Sequence, residues 1–326
     1  MKFSALNTQF KASPAAVWAA MIAVYIAWGS TYLAIRFAVA TIPPFLMAGV
    51  RFLVAGALLF IYRRSAGDPI PRWNAARSAG MVGLYLLVAG NGAVVWAEQT
   101  VPSSLAALMV SASPLWMLVL EALRPEGQKP SRRAIAGLIL GFAGVLLLLW
   151  PGQSGGVINT APLGIAVLVF AALAWAFGSV YSRYADLPSS PLMGSAIEML
   201  VGGAALMLIS AATGELSHVH LATITTRSLL GVAYLIFGGS LVGYTAYTWL
   251  LRVAPTSLVG TYAYVNPLVA LMLGALIGNE VITPRTVLAA VIIVGSVALT
   301  TSVPVKREPK PSPAGENTAP ESDTQP

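Results

Sequence analysis

Cysteine is absent from this 326-residue chain, which rules out disulfides, thiolate metal sites and cysteine nucleophiles. Charge is scarce as well: 10% of the residues are Asp, Glu, Lys or Arg, against about 25% in soluble globular domains. Water is not the main solvent of such a chain. His218 and His220 lie close together without acidic or thiol companions, so they read as solvated side chains and not as metal ligands. Neither an H-E-x-x-H motif nor a phosphate-binding P-loop occurs. These absences argue against a membrane metalloprotease and an ATP-driven pump. Intramembrane charges are too few to assemble an active site, so the chain reads as a protein that is not an enzyme and uses no cofactor.

Apolar runs are what the chain has in quantity. It is 57% hydrophobic, with a mean hydropathy of +0.76. In hydrocarbon every backbone polar group must be satisfied internally, and long apolar runs achieve this as helices. A crossing takes about 20 apolar residues. Spans are expected near 16–37, 45–62, 78–97, 102–122, 133–150, 162–182, 191–212, 228–250, 256–277 and 285–303. The fold class expected is therefore an all-α membrane protein of ten transmembrane helices. The first span lacks an A-x-A-like cleavage site and should stay as a helix. Residues 304–326 are rich in proline and polar side chains and should be disordered.

The net charge of +7 could suggest nucleic acid, but its distribution fits membrane topology better. With the N-terminal segment 1–15 in the cytoplasm, Lys and Arg gather on the inner side, and the outer loops receive only Arg36, Arg227 and Arg285. That asymmetry is a positive-inside signal, and it puts both termini in the cytoplasm.

Two stretches repeat each other. Trp96, Pro102, Ser104, Leu105, Pro114 and Leu115 recur, always 153 positions later, as Trp249, Pro255, Ser257, Leu258, Pro267 and Leu268. A fixed offset of nearly half the chain marks a duplicated unit. Five spans per unit is an odd number, so residues 16–150 and 162–303 should form two repeats of inverted topology. Such repeats are common in transporters, with the solute site where they meet. Gly137-x3-Gly141 adds a small-residue packing motif whose partner is either another span or another subunit.

Several local patterns carry a family resemblance: Trp28-Gly29-Ser30-Thr31-Tyr32, Arg51-Phe52-Leu53, the paired prolines, Tyr262-Ala263-Tyr264-Val265-Asn266-Pro267 and Gly278-Asn279-Glu280. Over residues 16–303 the chain resembles the EamA-type branch of the drug/metabolite transporter superfamily. The resemblance implies a carrier of the bacterial inner membrane with a central cavity between the repeats. It also implies solutes among amino acids, metabolites and drug-like amphiphiles, usually exported.

Polar groups within spans should face the bundle interior. Span one offers Trp28, Ser30 and Tyr32, spans three and four Asn91, Ser111 and Ser113, and span six Trp175, Ser179 and Tyr181. Span eight adds Tyr244 and Tyr247, and span nine Tyr262, Tyr264 and Asn266. Aromatic bodies with polar tips suit an amphipathic solute. The competing reading is helix packing, in which hydroxyls and amides bond between helices. Arg51 and Glu198 are the charges deepest within spans. Arg51 sits roughly 9 Å from the outer end of its helix at 1.5 Å per residue, which favours pairing with Glu98 near the outer face. Glu198 is expected to pair with Arg252 near the inner face. These pairs would be either structural clamps or gates, and Glu98 or Glu198 could instead carry a coupling proton.

The function expected is secondary export of small amphipathic solutes by alternating access. The alternative is a flippase for a lipid or lipid-linked sugar. The partners are a small-molecule solute and the lipid bilayer, with no nucleic acid. A proton as coupling ion and a homodimer both stay open.

Overall fold

The computed structural model describes residues 13–124, 131–149, 162–254, 256–259 and 261–301. The proline-rich tail and the loop separating the repeats lie outside these. Among the described residues the structure is helical, without strands. The first repeat comprises α1 (Pro14–Val39), α2 (Pro44–Ser65), α3 (Trp73–Ala97), α4 (Ser103–Ala122) and α5 (Arg132–Leu149). The second comprises α6 (Pro162–Tyr184), α7 (Pro191–Ala212), α8 (Thr226–Val253), α9 (Tyr262–Leu276, with the short helical turn Thr256–Val259 before it in the chain) and α10 (Pro284–Thr301).

Length and composition make 7 of these helices, α1–α4 and α6–α8, capable of crossing a membrane. Val265–Leu276 within α9 and Pro284–Ser296 within α10 are apolar but shorter. The outer surface suits lipid, with Ile26, Leu208, Phe237 and Val291 all exposed.

Helix starts follow from local chemistry. The Ser13 hydroxyl accepts from Ala16 N ahead of Pro14, and Ser190 caps α7 ahead of Pro191. Proline suits the first turn because its missing N–H would be unpaired there anyway. The first turn of α2 is capped from the other repeat. The Glu215 carboxylate accepts from Phe45 N at 3.2 Å and Leu46 N at 2.9 Å.

The packing mirrors the sequence duplication. α2 makes its main contact with its own repeat-mate α7, and α5 with its own repeat-mate α10. Glycine permits the first crossing: a Cβ placed on Gly203 would lie 2.7 Å from Leu53 N. In lipid, such close backbone approach replaces the hydrophobic drive that packs soluble helices. Gly141, from the small-residue motif, packs inside the chain against Leu115 and Ser296.

Three helices are irregular. α3 widens into a π-helical stretch at Leu84–Gly92, and α8 does so at Leu235–Tyr244. α4 breaks between Val110 and Ser113, just before Pro114. Pro267, the repeat-mate of Pro114, stays inside a continuous helical stretch, Tyr262–Leu276. The two prolines therefore occupy different places in their helices, one at the start of a segment and one inside it.

Candidate functional site

At the centre, between the repeats, lies a cavity of about 70 Å³, several times the roughly 10–15 Å³ that one water occupies on this measure. α1 contributes Trp28, Thr31 and Tyr32, and α2 contributes Arg51 and Phe52. The π turn of α3 presents Gly90 and Asn91, and that of α8 presents Gly239 and Tyr244. Trp175 of α6 and Tyr262 and Asn266 of α9 complete the polar and aromatic lining. A π turn lets a helix bulge locally, and such turns recur at functional sites. Here one occurs on the cavity wall in each repeat.

An aromatic cluster closes one side. The Trp28 ring lies 5.6 Å from Trp175, 5.4 Å from Tyr262 and 4.7 Å from Tyr247 between centroids, the first two edge-on. Its indole nitrogen donates to Gly239 O at 3.2 Å, which ties α1 to the π turn of α8. Tyr247 is buried behind Trp28, Trp175 and Tyr262 and supports the cluster from outside the lining.

Several residues expected at a cavity face elsewhere. The Ser30 hydroxyl bonds Ile26 O and Tyr234. Ser111, Ser113 and Ser179 donate to Leu108 O, Val110 O and Trp175 O of their own helices. The Tyr181 ring packs against Tyr85 and borders a separate groove beside Arg124 and Tyr184. The side chain of Tyr264 lies outside the described residues.

The expected pairing of Arg51 with Glu98 is not formed, because Arg51 makes no ion pair among the described residues. Its Nε donates to Ser240 Oγ at 2.9 Å, and its guanidinium lies over the Phe52 ring at 4.6 Å. Glu98 is buried where α3 ends, and neither carboxylate oxygen has a hydrogen-bond partner. Depth along the helices suggested this pair, but the π turn of α8 brings Ser240 to Arg51 first. Glu198 accepts a 2.5 Å hydrogen bond from the Tyr244 hydroxyl. The side chain of Arg252, its expected partner, lies outside the described residues.

An ion pair not anticipated from the sequence joins α1 to the loop following α9. Arg36 Nη1 lies 2.5 Å from Glu280 Oε1 and donates to Gly278 O at 3.1 Å. The same carboxylate accepts from Ser103 N, Ser103 Oγ and Ser104 N at 3.0, 2.6 and 3.1 Å. It thus caps α4 of one repeat from the loop following α9 of the other. Burial alone would raise the pKa of Glu280. Hydrogen bonds from Ser103 and Ser104 and the charge of Arg36 outweigh burial and hold it below the usual carboxylate range. The available signal was a lone acid in the outer loop that ends at Arg285.

The sequence pattern of the EamA-like transporter family matches residues 15–150 and again 162–302. The inner membrane transporter YedA of Escherichia coli strain K12, itself uncharacterised, is 40% identical over 287 residues, spanning 87% of this chain and 90% of that protein. A probable amino-acid metabolite efflux pump of the same strain is 26% identical over 285 residues, 83% of this chain and 89% of the pump. A crystal structure 20% identical superposes with a TM-score of 0.60 over 88% of this chain and 96% of the other. That last likeness shows the fold alone.

Proposed function

The chain belongs to the EamA-like transporter family, and from that membership we propose that it is a secondary carrier of the inner membrane. In this reading it exports small amphipathic metabolites, amino-acid-like solutes or drugs by alternating access. One observation carries the proposal: residues of both repeats line the same cavity, with aromatic rings, two carboxamides and an arginine among them. A site between repeats becomes accessible from either side when one repeat rocks against the other. In this reading the cavity, which has room for a few waters as it stands, widens as the repeats part to admit a larger solute.

We further propose ten spans, with α5 and the shorter α9 and α10 crossing as well and both termini in the cytoplasm. A proton gradient is proposed as the energy source, since no nucleotide-binding motif is present. The test is uptake by proteoliposomes of the purified chain across amino acids, aromatic acids and cationic dyes, with and without a proton gradient. Uptake above that of protein-free vesicles for at least one solute is expected. A chain in sealed vesicles that moves none of them, but scrambles a labelled lipid, would replace this reading.

A further inference from the structure

We infer that Arg51 is the anion anchor of the central cavity, and that the solutes are carboxylate-headed amphiphiles and not organic cations. The inference rests on the transport reading above. Arg51 lines the cavity and is 3% exposed. Its Nε is held by Ser240, but Nη1 is buried without a hydrogen-bond partner among the described residues. A buried guanidinium with an unpaired nitrogen is costly, and an anion offsets that cost. Its planar fork matches the two oxygens of a carboxylate better than any point charge would.

The rest of the lining agrees. No Asp or Glu is part of it, so nothing there would neutralise an incoming ammonium group. Glu98 lies outside the lining, near enough for its charge to act on Arg51 but without a hydrogen bond or ion pair to it, and the Glu198 carboxylate is engaged by Tyr244. Asn91 and Asn266 each have a buried amide oxygen without a hydrogen-bond partner. Those oxygens are suited to accept from an N–H or O–H near the carboxylate of the solute. The rings of Trp28, Trp175 and Tyr262 supply stacking area for an apolar or aromatic body. The fixed positive charge of Arg51 makes the same aromatic wall a poor host for a cation, despite its π faces.

The position is also guarded sterically. A Cβ on Gly239 would meet Arg51 Nη2 at 2.9 Å, so the π turn of α8 leaves just enough room for the guanidinium.

The test uses three probes with one body and different head charge: 3-phenylpropanoate, phenylalanine and phenethylamine. Uptake by proteoliposomes of the full chain is measured and the protein-free rate subtracted. Both carboxylates should enter at least about tenfold faster than the amine. Arg51→Gln should abolish that ratio, and Arg51→Lys should keep part of it. Because Arg51→Gln could misfold, Ser240→Ala serves as a second variant. It keeps the charge while freeing Nε, and should raise KM for the carboxylates severalfold with the head preference intact. Equal or faster amine uptake overturns the anchor, as does an unchanged ratio in folded Arg51→Gln. If none of the three enters while a cationic or uncharged solute does, the anchor is wrong and the transport reading stands. If no solute of any charge moves, both fall.

Discussion

Single residues separate a cavity role from a packing role. Asn266 and Ser113 each precede a repeat proline, yet Asn266 lines the cavity while the Ser113 hydroxyl is spent on Val110 O. Asn266→Ala should therefore lower transport at least severalfold with little change in the melting temperature in detergent. Ser113→Ala should leave transport within twofold of the parent. Equal losses at both positions would return the pair to packing. Glu98 gives a stability prediction. A buried carboxylate without hydrogen-bond partners is a liability that a neutral amide of the same shape relieves. Glu98→Gln is expected to raise the melting temperature by about 1–2 °C, the shift that roughly 1 kcal/mol produces in a chain of 326 residues. A fall instead would mean that the carboxylate is partnered in the membrane. Residue identity made Trp28, Tyr32, Asn91, Trp175, Tyr244, Tyr262 and Asn266 legible as lining candidates. It could not reveal that Ser30, Ser111, Ser113 and Ser179 bond backward to their own helices, because any helical serine can do so.

At the scale of elements, the two π turns and the Glu280 clasp matter most. In a regular exposed helix Gly→Ala stabilises by about 1 kcal/mol. Gly239→Ala should do the reverse, because its Cβ would press on both Arg51 and Thr31. A clear loss of carboxylate uptake in a still-folded protein is the expected result, read by uptake beside a detergent melt. Glu280→Gln should cost on the order of 1–2 kcal/mol, a modest figure because the Arg36 side chain is 37% exposed. Its pH dependence has a definite sign. With its folded pKa below the unfolded value, the Glu280 carboxylate adds stability above the ordinary range near pH 4.3, and loses it as pH falls through the lower folded value. Melting curves of the parent and Glu280→Gln should therefore converge on acidification. Neither π turn was legible in the sequence. Both lie in stretches that are apolar apart from single polar residues such as Asn91 and Ser240, where the widened turn leaves no periodic mark.

For the molecule as a whole, the repeat was the most legible feature, because paired tryptophans and prolines at one offset survive divergence better than apolar composition does. In the structure the helices this repeat would relate, α2 with α7 and α5 with α10, lie against each other. Topology is the prediction at this scale. A reporter that is active only in the periplasm should be silent when fused after Pro326 and active when inserted in the 151–161 loop. The opposite pattern at Pro326 would end the ten-span reading. The contact between α2 and α7 also bears on biogenesis. The glycine-faced partner of α2 is made only after the whole first repeat has left the ribosome, so that repeat must wait in the bilayer with its packing surface unclaimed. Two separately expressed repeats should find each other and restore uptake, whereas either alone should be cleared by membrane proteases.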